Sequence, residues 1–148
     1  MQALYARELS GDDVAHVIEH LLKPRVDKEA FRFAERLFLA TLDRSEEADA
    51  LIEAHARNWE LGRIAMVDRL TLRMAITEFL HFEDIPPKVS INEAIEVAKA
   101  YSTDQSGTFL NGILDAVLKT LRTEGRLRKS GRGLVDITPP SGASRRSD

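Results

Sequence analysis

Hydrophobic positions recur every three or four residues along most of the chain before residue 125, the spacing that gathers apolar side chains on one face of an α-helix. The pattern predicts helices over residues 12–22, 27–42, 45–56, 63–82 and about 90–101, with a last helix after a polar loop at 102–107. The fourth of these segments is apolar around much of its circumference, which predicts the central and most buried helix. No segment alternates convincingly between apolar and polar residues with a period of two, so the pattern predicts an all-α, compact helical bundle.

Several residues mark the predicted ends of these helices. Ser45, which precedes two glutamates, has the properties of an N-cap, and the consecutive prolines at positions 86 and 87 cannot continue a helix. Ser90 and Glu93 form a capping-box pattern that predicts the start of the next helix. Gly125 is predicted to end the last helix. The apolar stripe of that last helix comprises Leu110, Ile113, Leu114, Val117, Leu118 and Leu121.

The chain has 148 residues, of which 43% are hydrophobic and 30% charged, the composition of one soluble globular domain. It contains no cysteine, which excludes disulfides, thiolate metal sites and cysteine nucleophiles. No apolar run approaches the ~20 residues of a membrane helix, and the N-terminal residues lack the apolar stretch of a signal peptide. We therefore expect a cytoplasmic protein without a membrane-spanning segment.

The net charge of −3 is unevenly distributed along the chain. Residues 101–148 carry eight basic and five acidic side chains, whereas residues 1–100 carry thirteen basic and nineteen acidic ones. The last part of the chain combines basic residues with prolines, serines and glycines, a composition that cannot bury enough apolar surface to fold. We thus predict a folded body over residues 1–125, a loose basic C-terminal arm over residues 126–148, and an anionic partner.

One motif matches a known catalytic pattern: the segment from His16 to His20 has the H-x-x-E-H spacing of inverted zinc peptidases. Two histidines four residues apart share a helix face and can chelate zinc. On a helical wheel, however, both lie on the polar back of a short helix, away from its apolar stripe. A solvated face is therefore the stronger interpretation, and the chain also lacks the glycine-rich loops that bind phosphates. We predict no enzyme activity, no metal and no cofactor.

Three other residues favour a binding function. Phe109 lies about 100° from Leu110 around the last helix, off the apolar stripe and next to the polar loop. It is either a flank of the core or an aromatic platform on which an unpaired base stacks. Arg69 and Arg73 are four residues apart on one face of the central helix. Close to such an aromatic side chain, these two arginines would contact phosphate.

The order and spacing of several segments resemble one protein family. Residues 72–79 (LRMAITEF), 87–99 (PKVSINEAIEVAK) and 109–115 (FLNGILD) resemble the NusB transcription antitermination family, and residues 2–5 (QALY) look like the first helix of that family. The resemblance covers roughly residues 1–124, and the segment 87–99 is its most specific part. It implies a fold of about seven helices in two packed helical subdomains, and a role as an RNA-binding adaptor rather than a catalyst.

The resemblance also implies partners and contact residues. NusB proteins pair with NusE, a protein of the small ribosomal subunit, and the pair binds the boxA element of nascent transcripts. The resulting complex keeps RNA polymerase reading through ribosomal RNA operons. By position, the residues of this chain that would face RNA are Arg69, Arg73, Gln105 and Phe109. The residues that would face NusE are Tyr5 and Asp68.

The chain departs from the family pattern near its N-terminus, where family members usually carry an arginine-rich stretch that contributes to RNA binding. Here Met1 directly precedes the segment QALY, and Arg7 is the nearby arginine. We expect either that such a segment is missing from this chain or that the protein binds RNA differently. In the second case, the basic residues 126–129 (RLRK) would partly replace the missing positive charge.

Two alternative functions stay open. A similar helical domain precedes the catalytic part of some ribosomal RNA cytosine methyltransferases, and this chain would then be the RNA-binding half of such an enzyme. A helical adaptor that binds only protein would leave Phe109 and the two arginines without an RNA contact. Measuring RNA binding with and without NusE separates the antitermination factor from the protein-only adaptor.

Overall fold

The computed structural model describes Leu4 and residues 28–56, 64–101 and 104–137. The helices in these residues are α1 (Lys28–Asp43), α2 (Ser45–His55), α3 (Met66–His81), α4 (Pro87–Tyr101) and α5 (Asp104–Thr123), followed by a 3-10 helix (Gly131–Ile137). The described residues contain no strand, which confirms the all-α prediction. The predicted helix over residues 12–22 lies outside them, and the count of seven helices stays a prediction.

Helix α3 is the centre of the bundle, as its all-round apolar pattern predicts. It packs against each of the other four helices. Leu72, Ile76 and Phe79 on α3 have no exposed surface, and full burial of an apolar side chain of this size contributes roughly 1.5–3 kcal/mol. Because α3 touches every other helix, its side chains set where the neighbouring helices lie.

Helix α5 supplies the second large part of the core. All six positions of its predicted apolar stripe are buried, from Leu110 to Leu121, which confirms the periodicity-based prediction. On the same helix, Thr120 lies against α2, where its Oγ1 is 2.7 Å from His55 Nε2. Apolar and polar contacts together therefore hold α5 between α2, α3 and α4.

The helix starts differ in detail from their predicted positions. Helix α4 begins at Pro87, so the capping-box prediction is wrong, and Ser90 lies buried in the first turn. Proline suits the first helical position because its φ is fixed and the N–H it lacks would have no intrahelical acceptor. Helix α2 starts where expected, but Arg44 occupies its N-cap without a side-chain hydrogen bond. Helix α5 begins at Asp104, so most of the predicted polar loop 102–107 is helical.

Gly125 follows α5 with a positive φ of 67°, a conformation that glycine adopts at little cost. Its N–H donates to the Arg122 carbonyl at 3.2 Å, and the Arg126 N–H donates to the Leu121 carbonyl at 2.8 Å. These two bonds form a Schellman motif, which satisfies carbonyls at a helix C-terminus. The predicted stop at Gly125 is confirmed, and the chain turns back towards α3.

The segment after this turn differs from the loose arm predicted for residues 126–148. Residues 126–134, termed the C-terminal strap, dock beside the end of α3. The Lys129 ammonium donates to the carbonyls of Glu78 and Phe82, both at 2.9 Å. A lysine at a helix C-terminus satisfies orphan carbonyls and interacts favourably with the helix dipole. The prediction of a loose arm is therefore wrong for the strap.

Backbone contacts complete the docking of the C-terminal strap. The Ser130 N–H donates to the Glu83 carbonyl at 3.0 Å, and Leu127 packs against the main core. Gly133 is buried so closely against Glu83 that a Cβ atom at this position would overlap the carbonyl oxygen. Residues 138–148, the rest of the predicted arm, lie outside the described residues.

Candidate nucleic-acid interface

A buried hydrogen bond joins the first turn of α3 to the first turn of α5. Ser106 Oγ donates to Asp68 Oδ2 at 3.0 Å, and the two residues are 8% and 7% exposed. A hydroxyl–carboxylate bond is charge-assisted and therefore stronger than a hydrogen bond between neutral groups. The pair Asp68 and Ser106, termed the α3–α5 joint, fixes the starts of the two helices relative to each other.

Three residues predicted to face RNA surround the α3–α5 joint. Arg69 directly follows Asp68, Gln105 directly precedes Ser106, and Phe109 lies one helical turn beyond Gln105. Gln105 is exposed, whereas Arg69 and Phe109 are half-buried. Residues four apart share a helix face, so the amide and the aromatic ring follow one another along α5. The joint thus gathers candidates from two distant parts of the sequence.

Phe109 is held by the edge of the core. Its side chain is half-buried and packs against the main core cluster, as Ile95 on α4 also does. Of the two interpretations that the sequence left open, the structure shows the flank of the core. Stacking of a base on this ring stays a prediction.

Arg73 forms a two-pronged ion pair with α2. Its Nε and Nη2 atoms each donate to one carboxylate oxygen of Asp49, both at 2.7 Å. The Arg73 side chain is 14% exposed and that of Asp49 is 20% exposed. This fork geometry is the strongest arrangement of a guanidinium with a carboxylate. Arg73 therefore links α3 to α2, and any phosphate would compete with Asp49 for it.

The basic segment 126–129 is partly engaged within the molecule. The Lys129 ammonium is bound by two carbonyls at the end of α3. Arg126 lies 3.1 Å from the Glu124 carboxylate and 3.9 Å from that of Glu47. Two of the three cations in this segment thus have partners, which weakens its predicted role as a replacement for an arginine-rich N-terminus.

Other predicted positions lie outside the described residues, among them Tyr5, His16 and His20. Within the part of the chain that the structure describes, no group of three or more potential metal-ligating side chains occurs. No helix in that part is both long and apolar enough to cross a membrane.

Comparison with known proteins shows the family to which the chain belongs. The model of the NusB family matches residues 1–119. The chain belongs to the NusB family. Within this family, transcription antitermination protein NusB of Salinibacter ruber is 53% identical over 139 residues, which cover 93% of this chain and 87% of that protein.

Solved structures show how far the NusB fold extends along the chain. T. maritima NusB is 39% identical, with a TM-score of 0.74 over 80% of this chain and 84% of that one. A chain from the complex of the antitermination factors NusB and NusE with dsRNA is 26% identical, with a TM-score of 0.72 over 80% of this chain and 89% of that one. The bundle described above is therefore the NusB fold.

Two polar residues important to this NusB-family structure were not found from the sequence. Ser106 and Asp49 bond to residues 38 and 24 positions away, so no local pattern reveals their partners. Ser106 nevertheless gives a signal, because it lies four residues before Leu110 and so continues the apolar stripe of α5 with a polar side chain. A buried polar residue on such a stripe calls for a hydrogen-bond partner.

Proposed function

We propose that this chain is an RNA-binding transcription antitermination factor that acts with NusE on boxA RNA of ribosomal RNA operon transcripts. The Salinibacter ruber relative is named as an antitermination protein, and one structural neighbour is a complex of NusB and NusE with dsRNA. The proposed function is binding, without a catalytic step or a cofactor. Two helical subdomains, a cytoplasmic location and assembly with RNA polymerase belong to the same proposal.

The observation that carries the proposal is the hydrogen bond of the α3–α5 joint, which brings together the helix segments that carry Arg69, Gln105 and Phe109. The Arg69 guanidinium can bind a phosphate, and the Gln105 amide can both donate to and accept from the edge of a base. The Phe109 ring offers a surface on which an unpaired base can stack. Cationic, amide and aromatic groups are side chains that proteins commonly use to bind single-stranded RNA.

The proposed contact with NusE involves Asp68 of the same joint. Asp68 Oδ1 is buried and has no hydrogen-bond partner among the described residues. A buried carboxylate oxygen is costly to leave unpaired, so it would accept a hydrogen bond from a NusE donor once the joint opens enough to admit that donor. Tyr5, the other residue predicted to face NusE, completes the proposed contact.

Arg73 takes a secondary role in the proposal. Its fork with Asp49 makes it first a link between α2 and α3. We assign it a contribution to RNA binding through competition, in which a phosphate draws the guanidinium away from Asp49. A smaller effect of Arg73 than of Arg69 on RNA affinity is therefore expected.

The test is a binding assay with labelled single-stranded boxA RNA, by fluorescence anisotropy, with and without NusE. A scrambled RNA of the same composition serves as the control. We expect tighter binding to boxA RNA than to the control, and a further gain when NusE is present. The logarithm of the affinity should fall with the logarithm of salt concentration by about 0.7 for each phosphate contacted.

Two outcomes would contradict the proposal. A chain that captures NusE but binds neither RNA would be a protein-only adaptor. An RNA affinity that does not depend on salt would exclude the phosphate contacts assigned to Arg69 and its neighbours.

A further inference from the structure

We propose that Ser106 is a positioning residue that couples NusE binding to RNA binding, an inference that rests on the proposed function. The Ser106 hydroxyl holds Asp68, which is assigned to NusE, and its neighbour in the chain is Gln105, which is assigned to RNA. Across the same bond, Asp68 is followed by Arg69, also assigned to RNA. One buried hydrogen bond thus lies between the two proposed contact surfaces.

Burial makes Asp68 depend on this bond. A carboxylate that is removed from water needs donors, and losing one costs more than the bond itself contributes. Ser106 donates to Oδ2 at 3.0 Å, whereas Oδ1 has no partner among the residues that the structure describes. Without the serine hydroxyl, the carboxylate would turn towards solvent or draw water into the joint. Either change alters how the starts of α3 and α5 lie relative to each other.

The coupling follows from the two oxygens of one carboxylate. A NusE donor on Oδ1 acts on the same group that Ser106 holds through Oδ2, so NusE binding restricts the carboxylate from both sides. The relative positions of Arg69 and Gln105 then vary less. The protein therefore loses less conformational entropy when RNA binds. By thermodynamic linkage, RNA raises the affinity for NusE by the same factor.

The experiment measures a coupling factor, the ratio of boxA RNA affinities with and without saturating NusE. We expect Ser106→Ala to reduce this factor by about fivefold or more, beyond any change in the RNA affinity of the chain alone. Ser106→Thr keeps a hydroxyl and should retain the factor. Ser90→Ala is the matched control, because it removes another buried hydroxyl, 1% exposed, from α4 rather than from the joint.

Thermal melts by circular dichroism establish that each variant is folded under the assay conditions. If Ser106→Ala does not fold, Ser106→Cys takes its place, since the thiol fills the space of the hydroxyl but is a weak donor. A wild-type coupling factor in a folded Ser106→Ala or Ser106→Cys variant would overturn the inference, as would a wild-type chain that binds both ligands without coupling. A wild-type chain that binds neither RNA nor NusE would instead overturn the proposed function.

Discussion

Phe109 is half-buried and packs against the core. Replacement by alanine would therefore disturb both stability and any stacked base, and a loss of binding could not be assigned to one cause. Leucine separates the two effects, because it fills most of the apolar contact but offers no flat aromatic face.

For Phe109→Leu, we expect a melting temperature within a few degrees of wild type and a loss of boxA RNA affinity of roughly tenfold, equivalent to about 1.4 kcal/mol. This loss lies in the range of about 1–3 kcal/mol for base–aromatic stacking. Ile95→Ala is the control, since Ile95 flanks the same core but has no assigned RNA contact. A Phe109→Leu variant with wild-type RNA affinity would remove Phe109 from the interface.

The ion pair between Asp49 and Arg73 is the second feature whose effect can be measured residue by residue. In Asp49→Ala, the guanidinium stays mostly buried without its carboxylate, and we expect the free energy of unfolding to fall by about 1–3 kcal/mol. Asp43→Ala is the matched control: Asp43 pairs with Arg44 at 3.6 Å, but both side chains are more than half exposed, so the loss should stay below about 0.5 kcal/mol. Urea denaturation measures both, and equal effects would contradict a structural role for the fork.

At the scale of elements, the C-terminal strap extends the folded unit beyond α5. Lys129 and the Ser130 N–H bind the carbonyls that close α3 and the turn after it. Gly133 marks the closest approach, because a side chain there would collide with the backbone of Glu83. The strap is therefore sensitive to the addition of a single methyl group.

Gly133→Ala should displace the strap and lower the free energy of unfolding by about 1–3 kcal/mol, the cost typical of overpacking. The same substitution in an exposed part of α5 should act in the opposite direction. Gly112 has no atom within 4 Å of a built Cβ, and alanine is favoured over glycine inside a helix by roughly 0.5–1 kcal/mol. Thermal melts of both variants measure the contrast, and a Gly133→Ala variant as stable as wild type would show that the strap does not stabilise the fold.

The contrast between α5 and the strap shows which parts of the fold could be predicted. The burial of α5 follows from a local repeat that the sequence displays directly, and all six stripe positions are buried. The strap has no such repeat, and its stability comes from Lys129 reaching carbonyls 51 and 47 residues away. Composition alone therefore suggested a loose arm.

The residues of the candidate site also fall into two groups, those that the sequence indicates and those whose role depends on the packed structure. Side-chain type and family resemblance proposed Arg69 and Phe109 as candidates, and the resemblance alone proposed Gln105. The hydrogen bond between Asp68 and Ser106 brings the helix segments that carry them together. The roles of Asp49 and Ser106 depend on pairings across helices that only the packed structure defines. The available signal for Ser106 was a polar residue in a hydrophobic stripe. Asp49 had no comparable signal, because it lies among other acidic residues whose pattern is typical of a solvated helix face.

At the scale of the whole molecule, Glu78 makes stability depend on pH. Burial raises the pKa of its carboxyl group above the ordinary value of 4.5; the Ser90 hydroxyl lowers it, the charge of Glu93 raises it further, and the Lys129 ammonium lowers it. The folded chain therefore binds this proton more tightly than the unfolded chain does. Stability is greatest below pH 4.5 as far as this group is concerned, and it falls as the pH rises through the folded pKa.

Glu78→Gln should consequently be more stable than wild type at neutral pH, by about 1.4 kcal/mol for each unit by which the folded pKa is raised. The difference should shrink as the pH falls and vanish below 4.5. Denaturant titrations across this pH range measure it. Glu53→Gln is the control. Because Glu53 lies at an exposed position on α2, this substitution should change the free energy of unfolding little across the same pH range. A Glu78→Gln variant less stable than wild type at neutral pH would contradict the assignment.

The docking of Lys129 also affects how readily trypsin cleaves the chain after this residue. Trypsin cleaves after lysine in segments that can extend into its active site, but here the next residue, Ser130, donates its N–H to Glu83. The peptide bond after Lys129 becomes accessible when the strap separates from α3. The rate of cutting at this bond, relative to that of global unfolding, therefore measures how often the strap opens. A nicked chain would keep Lys129 as its new C-terminal residue and would lose the anchor that the Ser130 N–H provides at Glu83.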